Sequence, residues 1–234
     1  RQVLLRAGCT LAEIDLVEEV ARIYGYGNIM ASLPVFPIVP PPRNELRSLE
    51  KKIKDILALE FNFSEVCNYS FVSPELLRRL EMPIESFVEL DNPVAKDRPF
   101  LRHGLWPGLL ENAEANLHRF DVVKMFEIGR VFCPESAGLR VSGNSDELLP
   151  SQPLNLGLVF ASKGVATPFY ELSSALTSVL ERFDCIAEIK PAEHGKLGKF
   201  IHTGRQAQLL AVGERVGAIA EISPPFLERL GIDE

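Results

Sequence analysis

Three carboxylates near the start of the chain, Asp15, Glu18 and Glu19, stand at positions i, i+3 and i+4. On a helix they share one face, and hard oxygen donors grouped in this way suit Mg2+. The same acids also suit the first turns of a helix, where the macrodipole favours negative charge. The residues by themselves leave both readings open. Glu193, His194 and His202 are metal-ligating types, but the two histidines are eight residues apart, which fits no short metal motif. Structural histidines are the expectation. The run Gly195-Lys196-Leu197-Gly198-Lys199-Phe200 superficially resembles a phosphate loop. That loop needs G-x-x-x-x-G-K followed by Ser or Thr, so that a hydroxyl reaches the metal. Phe200 stands in that place and the leading glycine is displaced, so the reading is rejected. Nothing marks a strained nucleophile elbow. Trp106, directly before Pro107, is expected to anchor a core. The four cysteines, Cys9, Cys67, Cys133 and Cys185, lie far apart without paired spacing. They match neither a disulfide framework nor a zinc knuckle, and fit a reducing, cytoplasmic setting.

The elements that must carry these residues follow from composition and periodicity. The 234 residues are 46% hydrophobic and 24% charged, ordinary for one large or two small globular domains. A formal net charge of -7 argues against a strong nucleic-acid binder, because such affinity comes largely from neutralised phosphates. Two local basic strips remain, Arg43, Arg47, Lys51, Lys52 and Lys54, and Lys196, Lys199 and Arg205; both also read as solvated surface. No apolar run approaches the roughly 20 residues of a membrane helix. The chain opens at Arg1 without an initiator methionine and is expected to be a piece of a longer protein.

Helical spacing of Ile14, Val17, Val20, Ala21 and Tyr24 predicts a helix over 11–27, stopped by Gly25 and Gly27. Residues 32–42, SLPVFPIVPPP, hold five prolines and must form an extended connector. An amphipathic helix follows at 44–59, with Leu46, Leu49, Ile53, Ile56 and Leu57 on one stripe. Strands are predicted at 65–72, 86–91, 122–132 and 154–161. Short helices are expected after the Ser73-Pro74 and Ser223-Pro224 caps, with longer ones at 107–118 and 172–183. Residues 134–153 are polar, rich in Gly, Ser and Pro, and predict a mobile surface loop. Residues 207–222 predict a hairpin with Gly213-Glu214 as a type II′ turn. Hairpins mixed irregularly with helices give an α+β fold, an antiparallel sheet flanked by helices.

Several stretches together resemble one family, the β chains of bacterial-type phenylalanyl-tRNA synthetase. DLVEEVARIYGYGNI (15–29) resembles the end of the domain preceding its core. FSEVCNYSFVSPELL (63–77), LDNPVAKDRPFLRHGLWPGLLENAEANLHR (90–119), MFEIGRVF (125–132), PAEH…HTGRQAQLL and VGAIAEISPPFLERL (191–230) resemble core segments in the family's order. The resemblance implies a tail of the preceding domain at 1–31, the connector at 32–42, and a class II synthetase-like core at 43–234. It implies assembly with a catalytic α chain into a heterotetramer, tRNA(Phe) as a partner of that assembly, ATP used by the α chain, and no aminoacylation site in this module. It also implies that Asp15, Glu18 and Glu19 bind Mg2+ at the contact with the α chain. The family's fourth ligand, an aspartate, falls where this chain has Gly8-Cys9, so that ligand is missing or displaced.

A class II site cradles ATP with a strand arginine in a Phe-Arg-x-Glu pattern, because a polyphosphate needs a planar, permanently charged fork of donors. The strand taken as equivalent reads Phe126-Glu127-Ile128-Gly129, which places a carboxylate there, expected to repel the α-phosphate. No Gly-Leu-Gly-x-Glu-Arg segment is present; Glu228-Arg229 lacks the glycines. The leading expectation is a non-catalytic module of phenylalanine–tRNA ligase. The alternatives are a free-standing divergent class II ligase, with Arg98, Arg102 or Arg130 replacing the strand arginine, and a partner- or RNA-binding module acting through 43–54. The 44–59 helix is expected to build a subunit interface.

Overall fold

The computed structural model describes residues 13–33, 37, 39–140, 148–164, 168–192 and 200–232. The chain divides into two units, Arg1–Arg43 and Asn44–Glu234. In the first, helix α1 spans Glu13–Tyr24. Gly25, at φ +92, ends it, its N–H closing on the Ala21 carbonyl at 2.9 Å. Of the connector, residues 34–36 and 38 lie outside the described residues, and the rest forms neither helix nor strand.

The second unit opens with α2, Glu45–Leu59, whose N-cap Asn44 accepts from Arg47 N at 3.1 Å. Its apolar stripe divides along the helix. Leu57 is fully buried, with Ile53 and Ile56 packed beside it, whereas Leu46 and Leu49 are 52% and 39% exposed. The central sheet orders β1 (Ser64–Glu65), β4 (Val122–Arg130) and β7 (Leu154–Ser162). β4 and β7 are antiparallel with Glu127 opposite Gly157, as the sequence pattern leads one to expect. β1 joins β4 in parallel instead. The link between them holds helices α3 (Pro74–Arg79) and α4 (Trp106–Leu117), long enough for the crossover that parallel pairing needs.

Strand alternation assigns the two faces of this sheet. Phe126 and Ile128 of β4, with Leu156 and Leu158 of β7, meet α2 and helix α5 (Pro168–Glu181). Val123 and Met125 face α4 through Leu105, Leu109, Ala113 and Leu117. Gly157 lets α4 close on the sheet, since a Cβ there would lie 2.9 Å from both Leu105 Cβ and Leu109 Cδ1. Arg79 Nη2 donates to both Glu114 oxygens at 2.9 Å and to the Leu230 carbonyl at 3.3 Å. That side chain ties α3, α4 and helix α6 (Pro224–Arg229) around one apolar cluster.

Four expectations are corrected. The strand predicted at 65–72 is two two-residue strands in different sheets, β1 and β2 (Phe71–Val72), the latter pairing with β3 (Phe100–Leu101). Between them Asn68 turns its polar groups inward. The strand predicted at 86–91 is a 3-10 turn at Ile84–Ser86 and a single bridge between Glu89 and Phe100. In place of a loop at 134–153, Cys133–Arg140 (β5) pairs with Leu148–Ser151 (β6) in an irregular antiparallel register. Backbone bonding carries that pairing, and side-chain composition does not reveal it; residues 141–147 lie outside the described residues. The last hairpin joins β9 (Ile201–Ala211) and β10 (Glu214–Ile222), with β8 (Ala187–Pro191) on the other side of β9. Ala211 pairs with Glu214, so the turn is Val212-Gly213, at φ 53 and 82. Both values are positive, giving a type I′ geometry rather than II′.

Candidate functional site

Glu127 sits in the middle of β4 on the face that meets α4. The same period-2 pattern that buries Val123 and Met125 therefore buries its carboxylate, leaving it 2% exposed. A charge so placed needs both an opposite charge and hydrogen bonds. Arg102, 5% exposed, supplies the first, its Nη1 donating to Glu127 Oε1 at 2.6 Å. Asn68 donates from Nδ2 to Oε2 at 2.9 Å and from its backbone N to Oε1 at 3.4 Å. Asn112 of α4 holds the Asn68 amide in place, its Nδ2 donating to Asn68 Oδ1 at 2.9 Å. Arg102 is fixed from its other edge, with Nε donating to the Arg130 carbonyl at 2.9 Å. Gly129 lies under the guanidinium, where a Cβ would collide with Nη2.

The carboxylate expected to repel a phosphate thus has its charge met inside the protein. Of the three arginines offered as replacements for a nucleotide-binding cation, Arg102 is engaged with Glu127. Arg130 donates from Nη1 to the Gln152 carbonyl at 2.8 Å. Arg98 is 3.9 Å from Glu111. Beside the network lies a cavity of about 220 Å³, bordered by Arg98, Arg102, Glu111, Phe71 and Val72.

The other sequence candidates fall elsewhere. Asp15, Glu18 and Glu19 share an exposed side of α1. Glu19 is turned to Arg22, whose Nη2 donates to it at 2.6 Å and lowers the carboxyl's pKa. Among the described residues no three His, Cys, Asp or Glu side chains converge to hold a metal ion. The three acids by themselves therefore do not fit a closed cation site. Gly8, Cys9, Glu193, His194, Lys196 and Lys199 lie outside the described residues. His202 Nδ1 accepts from Gly204 N at 3.1 Å, a local turn contact. In the basic strip, Lys51 faces Asp55 at 3.4 Å, Lys54 faces Glu65 at 2.5 Å, and Lys52 lies over the Phe183 ring. Trp106 stacks on Phe200 at 4.8 Å, and Phe200 packs on Phe226 of α6. Cys67 is exposed and joins no disulfide. Asn68, Asn112 and Glu111 went unnoticed in the sequence. The available signal was an acid on the strand face whose preceding members, Val123 and Met125, are apolar, which calls for a buried cation and a donor.

Residues 29–234 match the family described as the phenylalanyl tRNA synthetase beta chain CLM domain. The chain belongs to this family. The curated phenylalanine–tRNA ligase beta subunit of Geobacter metallireducens is 29% identical over 95% of the chain and 28% of the relative. That of Syntrophus aciditrophicus is 33% identical over 93% of the chain and 27% of the relative. That of Leptospira biflexa is 35% identical over 71% and 20%. The chain thus spans a little over a quarter of the length of the longest of these matches. In fold, the CLM domain is similar to Desulfitobacterium hafniense PylSc, a pyrrolysyl tRNA synthetase. The TM-score is 0.57 at 20% identity, covering 82% of this chain and 63% of that one. This is the class II synthetase architecture.

Proposed function

We propose that this CLM domain serves phenylalanyl-tRNA formation without performing the chemistry, by assembling as part of a β chain with a catalytic α chain into a heterotetramer that charges tRNA(Phe). The observation that carries the reading is the Arg102–Glu127 pair within a class II fold. At the heart of the module, where bound polyphosphate would demand an available guanidinium, the guanidinium is spent on an internal carboxylate. ATP use then belongs to the α chain, and a cytoplasmic location goes with the reading. No helix among the described residues is long and apolar enough to cross a membrane. The exposed Leu46 and Leu49 of α2 offer an apolar strip to the partner. Any Mg2+ held by Asp15, Glu18 and Glu19 would need further ligands from that partner, because these three do not close around an ion.

Co-expression with a bacterial phenylalanyl-tRNA synthetase α chain, followed by size-exclusion chromatography, tests the assembly. The expected result is one co-eluting species. The chain alone is expected to show no phenylalanine-dependent ATP–pyrophosphate exchange; exchange abolished by a change at a core residue would overturn the non-catalytic reading.

A further inference from the structure

We draw no further inference here: the strongest candidate, the exposed apolar surface patch of Ile186 and Val212 at the turn of the β9–β10 hairpin, carries nothing because nothing in the structure shows what covers it.

Discussion

Glu127 is bordered on its own strand face by Met125 and Gly129, and what tolerates its charge there is one guanidinium and one amide. A buried pair of this kind contributes little net stability compared with an apolar core, yet breaking it from one side is costly. Arg102→Met should therefore destabilise the module by about 3–5 kcal/mol, read from urea unfolding, because the carboxylate is left charged and unpaired. Adding Glu127→Leu to Arg102→Met should recover a large part of that loss; a double variant as unstable as the single one would show that the cost lies in packing. The sequence exposed half of this site. A lone acid within VVKMFEIGRVF is visible by eye, and strand periodicity alone buries it. Its partners were hidden for a physical reason: Asn68 and Arg102 reach it from segments 59 and 25 residues away, a juxtaposition that only tertiary folding creates. The assumption that an acid near a binding cleft faces the ligand failed because burial forced the charge to find a partner in the protein.

Among the elements, those with a clean 3.6-residue period were legible: α2 ends where its stripe ends, and Asn44, Ser73 and Gly231 act at the termini their types predict. The short strands β1, β2 and β3 were not, since two-residue pairings leave no periodicity to read. The β9–β10 turn was displaced by one residue because Gly213 was taken as the first turn position, when it is the second. That placement puts Val212, a β-branched residue, in the left-handed region at φ 53, where such side chains are strained. Val212→Asn supplies the Asn-Gly pair favoured by type I′ turns and should stabilise by about 0.5–1 kcal/mol in thermal or urea unfolding. Gly157→Ala should act in the opposite sense, costing about 1–3 kcal/mol by wedging α4 off the sheet; no loss would mean α4 can shift freely. α2 is tied to β1 by Lys54 and Glu65, and the hydrogen bond to Glu65 raises the Lys54 pKa above the usual lysine range. A raised lysine pKa stabilises fully below the unfolded value, and the contribution is lost as pH climbs through the folded one. The difference in urea midpoint between wild type and Lys54→Met should thus shrink on going from about pH 9 to about pH 12. The pair is partly exposed and its effect is small.

For the whole molecule, the division at Arg43 and Asn44 and the uneven burial of α2 matter most. The C-terminal half of α2 packs its own sheet, and the N-terminal half does not. Leu46→Lys with Leu49→Lys should leave unfolding within about 0.5 kcal/mol of wild type, as exposed substitutions generally do. The same change should weaken co-elution with an α chain; unaltered co-elution would place the interface elsewhere. The Arg102–Glu127 pair bears finally on what descendants of such a gene could become. A lone Glu127→Arg change would crowd two guanidiniums around Asn68 and the Arg130 carbonyl with no counter-charge. Loss of Glu127 alone would free the Arg102 guanidinium, but it would leave a buried cation unpaired, so that route passes through a destabilised protein. The pair thus acts as a latch: any single change that opens it costs stability before it can offer a phosphate anything.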